Sequence, residues 1–226
     1  FNDVAITARM LLSKYPVERI LIIDTDAHQG NGTMDIFYDD PRVLFISIHQ
    51  DPRTLYPGRG FINEIGIGAG KGFTVNIPMP MFAGNKQYQC ALNEIFVPLA
   101  KEYQPDVIIQ NGGADPHYAD QLTLLGLDLD GLNMVGKIVR KTADGTSKKL
   151  IDMIVSGYSD LVHYGWLAII AGVAGLPIDF SKIVNEPEKR KHLEIEINEG
   201  STESQTQKVV EAVKTELKSY WRCFQS

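Results

Sequence analysis

Four apolar residues in a row, Ile20 to Ile23, run directly into Asp24-Thr25-Asp26-Ala27-His28 and then into Gln29-Gly30-Asn31-Gly32. So short and so apolar a run reads as a strand buried on both faces. Alternate residues of an extended chain point the same way, so Asp24, Asp26 and His28 are expected on one side. Two carboxylates and an imidazole at the end of a buried strand are costly to leave uncompensated. A cation offsets that cost. One imidazole with carboxylate oxygens suits a Zn²⁺-like ion with an open position better than a closed structural site. A polar strand end with a capping Asp and a satisfied His explains the same pattern, and from these residues alone both readings stand.

The rest of the chain alternates strands with helices. Residues 3–15 read as a helix that Asn2 or Asp3 caps and Pro16 ends. Strand 20–25, a helix from Thr33 to Tyr38 and a second buried strand, Val43 to Ile48, follow. A Gly-rich loop then spans Gln50 to Lys71. Loops of this length are usually functional, although its glycines also fit simple turn geometry. Gly66-x-Gly68-x-Gly70 precedes a strand and opens no helix, so it is not a dinucleotide fingerprint. Further strands are expected at Phe73–Ile77, 106–110 and 151–155, and helices at 85–101, kinked by Pro98, at 128–143 and at 160–175. Residues 181–203 form a charged connector, and 204–226 hold a final helix docked by Val209, Val210, Val213, Leu217, Tyr220 and Trp221. This alternation argues for an α/β domain with a mostly parallel sheet and helices on both faces. Ligands of such sheets sit beyond the carboxyl ends of the strands. There the polar residues fall: Asp26 and His28 after the first strand, Ser47 and His49 at the second, Asp115 after the fourth, Tyr158 after the fifth.

Length and composition bound the reading further. The 226 residues suit one domain, and 44% apolar residues supply a core. A net charge of −6 leaves no overall basic footprint for nucleic acid. Cys90 and Cys223 match no metal or disulfide spacing and fit a reducing, cytoplasmic compartment. The apolar stretch from Trp166 to Pro177 is too short to span a membrane. Phe1 stands just before a helical pattern, as in a piece of a longer protein or a processed start.

Ile-Asp-Thr-Asp-Ala-His-Gln-Gly-Asn-Gly resembles the metal-binding strand and loop of the histone deacetylase family, which includes acetoin-utilisation and acetylpolyamine amidohydrolase proteins. Gly112-Gly113-Ala114-Asp115 and Ser156-Gly157-Tyr158 extend the resemblance in order over roughly residues 1 to 180. It implies a three-layer arginase/deacetylase-like fold, incomplete at its N-terminal side. It implies Zn²⁺ (or Fe²⁺) held by Asp26, His28 and Asp115, with Tyr158 donating a hydrogen bond to the substrate oxyanion. Asp24, Ser47 and the backbone around His28 and Ile48 match a monovalent cation site, usually K⁺. Tyr56 of Leu55-Tyr56-Pro57-Gly58 matches an aromatic of the acyl-lysine tunnel, which Gly113 also lines. Asn31 matches a residue that orients a catalytic histidine. Ser156 departs from the family, which usually has glycine there, and its side chain is expected to alter the loop or narrow the pocket.

The implied activity is removal of acetyl groups from N-acetyl-lysine or acetylated polyamines. The family's adjacent histidine pair precedes the segment matched by Phe1-Asn2-Asp3. None of His28, His49, His117, His163 and His192 matches it. Activity in residues 1–226 alone is therefore expected to be low, and an open sheet edge to favour a partner chain, a separate N-terminal segment or an oligomer. The competing readings are a non-catalytic metal- or acyl-binding module and, on Asp24-Thr25-Asp26 alone, a haloacid-dehalogenase-like phosphatase. His28 argues against the last.

Overall fold

The apolar runs build a five-stranded sheet in the computed structural model, which describes residues 1–186 and 199–225. The strands are β1 (Ile20–Asp24), β2 (Val43–Gln50), β3 (Thr74–Met79), β4 (Val107–Gly113) and β5 (Leu150–Val155). All neighbouring pairs are parallel, in the order β3-β2-β1-β4-β5. Every residue of β1, β2 and β3 is buried, as expected of strands covered on both faces. The six residues of β5, at one edge, are all half-buried.

The two-residue period of the strands sorts the core into two layers. Leu21, Ile23, Leu44, Ile46, Ile48, Val75, Ile77 and Ile108 point to one face. The helices packed there are α3 (Asn85–Ala91), α4 (Val97–Tyr103), α5 (Leu129–Asp144), α6 (Val162–Ala174) and α7 (Glu199–Leu217). Ile20, Ile22, Val43, Phe45, Val107 and Ile109 point to the other face, against α1 (Asp3–Lys14) and α2 (Asn31–Phe37). Burying one such side chain contributes about 1.5–3 kcal/mol. A one-residue slip of β1 would exchange its layers, so its register is strongly specified.

Several local features follow from single residues. Asn2 caps α1 by accepting from the Ala5 N–H at 2.9 Å. The helix expected over 85–101 is continuous to Tyr103, but Leu92–Phe96 widens into a π-helical turn just before Pro98. Proline has no N–H and crowds the preceding turn, and widening relieves both. The helix expected to run to Phe224 ends at Leu217, and a short 3₁₀ turn, Arg222–Phe224, follows. Val210, Val213, Leu217 and Trp221 still enter the first core layer, and Trp221 Nε1 donates to the Gly72 carbonyl at 2.7 Å. Part of the charged connector, 187–198, lies outside the described residues, with His192. Among the described residues no helix is long and apolar enough to cross a membrane.

The Gln50–Lys71 loop contains one 3₁₀ turn, Gly68–Gly70, and is tied to β2 through His49. His49 is fully buried. Its Nε2–H donates to the Gly60 carbonyl at 3.0 Å, and its Nδ1 accepts from the Ser47 hydroxyl at 2.8 Å. Burial pushes its pKa down to about 4. The unfolded chain, with a pKa of about 6.5, therefore binds the proton more readily. This contribution to stability is complete above pH 6.5 and is lost as pH falls toward 4, to a limit of about 3 kcal/mol. Denaturant titrations at pH 7 and pH 4 should show a smaller acid loss in His49→Gln than in the parent chain. Equal losses would remove His49 as the acid-sensitive tie.

Candidate metal centre

Parallel pairing puts the ends of β1 and β4 side by side, with Asp24 in register with Asn111 and, on β2, with Ser47. The chain leaves the strand at Asp24 and does not stay extended, contrary to the alternation read from the sequence. The Asp26 N–H donates to Asp24 Oδ1 at 3.1 Å, and the His28 N–H to Asp26 Oδ1 at 2.7 Å. These are successive Asx-type turns, the local bonding that Asp favours. Asp24 is engaged by the Asp26 N–H and by Asn111 and does not join the cluster that Asp26 and His28 form.

Asp26 and His28 instead meet Asp115, which follows β4. His28 Nδ1 lies 2.9 Å from Asp115 Oδ2 and 3.2 Å from Asp26 Oδ1. One donor atom from each of the three residues falls within 4.8 Å of the others. Asp115 is fully buried, and its second oxygen accepts the Ala27 N–H at 2.9 Å. The second oxygen of Asp26 accepts the Ser156 hydroxyl at 2.5 Å.

The electrostatics mark a place short of positive charge. Hydrogen bonds to Asp115 and then Asp26 raise His28 to about 10. Burial, then the neighbouring Asp26 charge, pushes Asp115 up to about 7. Burial works against the Asp26 carboxylate too, but hydrogen bonds from His28 and Ser156 hold it below its usual range. The donor set fits a divalent cation. Ligands around a tetrahedral zinc at about 2.1 Å sit about 3.4 Å apart, close to the two His28 separations. The ligand type, one imidazole nitrogen with two carboxylate oxygens, belongs to open sites rather than closed structural ones.

Asp24 lies behind this cluster and is buried. Its Oδ1 also accepts from Asn111 Nδ2 at 3.1 Å. Burial, then the Asp26 charge, raises its pKa well above the carboxylate range. Its other oxygen faces Gly30, where a Cβ would come within 2.3 Å of it. Asp24 also lines a cleft of about 250 Å³ with Asn2, Thr33, Asn111 and Val155. Ser47 and Ile48 are buried on β2, and the Ser47 hydroxyl is engaged by His49. Asn31 opens α2.

Tyr158 stands at the open side of the cluster, its ring edge-on to His28 with centroids 6.3 Å apart. It is 48% exposed. Burial, then the charges of Asp115 and Asp26, raises its pKa, so the phenol stays in the protonated, donating form. Gly113 lies between the elements: a Cβ there would meet Ser156 Oγ at 2.6 Å, Asp115 Oδ1 at 2.7 Å and the Asp26 Cα at 2.9 Å. Tyr56 is 76% exposed.

Two supports of the site have no signature in the sequence. Asp120 accepts the Tyr158 N–H at 2.7 Å and the Leu122 and Thr123 N–H groups on its other oxygen. Asn111 reaches Asp24 across the strands. Nothing local distinguishes either residue from an ordinary loop or strand polar group; only the fold brings them to their partners.

A parallel α/β sheet with a carboxylate–imidazole cluster at the carboxyl ends of its strands is thus the class of structure. The histone deacetylase domain family matches residues 1–173. A probable deacetylase of Archaeoglobus fulgidus is 38% identical over 226 residues, covering 99% of this chain and 61% of that protein. The acetoin utilization protein AcuC of Staphylococcus xylosus is 36% identical over 178 residues, 77% of this chain and 46% of that protein. Among solved structures, the histone deacetylase Clr3 superposes with a TM-score of 0.82 at 29% identity, over 99% of this chain and 36% of that one. The chain belongs to the histone deacetylase family and has its α/β fold. It spans 61% or less of the length of these relatives. Membership sets aside the phosphatase reading.

Proposed function

We propose that this chain carries the metal half of a deacetylase active site, and that the whole protein hydrolyses the N-acetyl amide of a lysine or a polyamine. The convergence of Asp26, His28 and Asp115 beside Tyr158 is the observation that supports this reading most directly. Those three residues would hold Zn²⁺ or Fe²⁺. The bound ion would polarise the acetyl carbonyl and lower the pKa of water. The Tyr158 phenol donates a hydrogen bond to the carbonyl oxygen as negative charge develops there, and Asp120 positions the backbone that carries it. Asp24 and the Ser47–Ile48 backbone are the candidates for K⁺, Asn31 for orienting a histidine, and Tyr56 and Gly113 for lining the acyl channel.

A second reading, a metal-binding module without catalysis of its own, is favoured by the histidines. Among the described residues His49 is held by Ser47 and Gly60, His117 Nε2 by Glu186 at 2.9 Å, and His163 packs on Tyr164. None of them joins the cluster as a base.

Metal analysis should find one divalent ion per chain, lost in Asp115→Ala; equal stoichiometry in both would move the site elsewhere. Assayed alone with Zn²⁺ on an acetyl-lysine peptide, residues 1–226 should turn over about 10²–10⁴-fold more slowly than an intact family member, for want of acid–base help. Comparable turnover would reject the second reading. In the whole protein, Tyr158→Phe should lower kcat about 10²–10³-fold with a much smaller change in KM. An unchanged kcat would exclude Tyr158 as the oxyanion donor.

A further inference from the structure

We propose that Ser156 is a positioning residue of the metal centre. Its hydroxyl holds Asp26 with Oδ1 turned to the cluster and so couples cation binding to the placement of Tyr158. The inference rests on the cation reading above.

Among the described residues, two side chains donate to the Asp26 carboxylate. His28 Nδ1 approaches Oδ1, and the Ser156 hydroxyl engages Oδ2 at 2.5 Å. The two oxygens therefore have separate duties. Oδ1 takes the His28 N–H and Nδ1, and Oδ2 takes the Ser156 hydroxyl. A carboxylate so held presents one oxygen in one orientation, and the second bond withdraws negative charge from a crowded pair.

The serine is itself locked. Its φ is +34°, a left-handed value that side-chain-bearing residues rarely adopt. Trp166 Nε1 donates to the carbonyls of Ser156 at 2.8 Å and of Val155 at 3.0 Å, and the Ala114 N–H reaches the Ser156 carbonyl at 3.3 Å. Strained backbone persists where the surroundings over-determine it, and often at functional sites. The empty side of Gly113 makes the room, since a Cβ there would lie 2.6 Å from the Ser156 hydroxyl. Two residues further on, Asp120 takes the Tyr158 N–H. The segment 156–158 is thus pinned at one end to the candidate ligand Asp26 and at the other to a buried loop carboxylate. A cation that fixes Asp26 would fix the Tyr158 segment with it.

Two variants separate the hydroxyl from the backbone. Ser156→Ala keeps the Cβ and its conformational restraint but has no donor. Ser156→Gly has neither, and suits the left-handed backbone, so it protects the test against misfolding. Zn²⁺ affinity would be measured by chelator competition on the 226-residue chain, with Asp26→Ala as control. Hydrogen exchange of residues 156–160 would be followed with and without Zn²⁺. Both Ser156 variants should bind Zn²⁺ about tenfold more weakly, the lower end of the range for outer hydrogen-bond partners. Zn²⁺ should slow exchange across the Tyr158 segment in the parent chain and do so much less in either variant. Parent-like affinity and protection in both variants would overturn the proposal. So would a loss confined to Ser156→Gly, which would assign the effect to backbone restraint. If the parent chain takes up no Zn²⁺, or Asp26→Ala binds it equally well, the cation reading itself falls and this inference with it.

Discussion

Two carboxylates, the half-buried Asp26 and the fully buried Asp115, share one half-buried imidazole, and much of the architecture is explained by what that arrangement requires. Like charges so close repel, and burial strengthens the repulsion. Their proximity is imposed by the parallel pairing of β1 with β4, which delivers both loop starts to the same edge. The hydrogen bonds around the pair then limit the cost. The Ala27 N–H, the His28 N–H and the Ser156 hydroxyl each take a lone pair of one of the two carboxylates. The unused attraction converges on the His28 ring and on the direction from which a cation would come.

The sheet supplies the rigidity. The central strand β1 is apolar on both faces up to Asp24, and layers of Ile, Leu, Val and Phe from the strands fix register on each side. The same pairing aligns Asp24 with Ser47 and Asn111, a row of polar groups running across β2, β1 and β4 one step behind the metal-type ligands. Polar residues in the middle of a buried sheet are costly unless they are bonded, as Asn76 of β3 is to Gln29 and to the Glu64 carbonyl. At the end of the sheet Asp24 bonds Asn111 and the turn that leaves the strand, and Ser47 bonds His49. Small residues complete the fit: Gly30 lies on Asp24 and Gly113 lies between Asp26, Asp115 and Ser156, each where a methyl group would collide.

Much of this was legible in the chain. Short apolar runs separated by helical periods point to a parallel sheet, and the clustering of polar residues just after those runs points to its carboxyl edge. The candidate ligands Asp26, His28 and Asp115 come from that logic together with family resemblance. What was not legible depends on direction rather than identity. The alternation rule places Asp24 with Asp26 and His28, yet Asp side chains capture nearby N–H groups and bend the chain out of the strand. The roles of Asp120 and Asn111 were hidden for another reason. Their partners, Tyr158 and Asp24, lie 38 and 87 residues away, and no local pattern announces such pairs. The π-helical turn before Pro98 is an intermediate case: a kink was expected from the proline, but not the way the helix absorbs it.

Tyr158 illustrates how the fold divides labour between precision and access. In the proposed role its ring would have to stay open to a substrate, and nearly half its surface is exposed, so packing against the ring does not hold it. The backbone carries the constraint instead. Val155 ends the edge strand, Trp166 clamps the next carbonyl, Ser156 turns into the left-handed region and binds Asp26, and Asp120 receives the Tyr158 N–H. A side chain so placed keeps rotational freedom at its ring while its Cα is fixed relative to the ligand cluster. The arrangement suits the proposed oxyanion donor, whose hydrogen bond would have to be ready where charge develops without closing the route by which a substrate arrives.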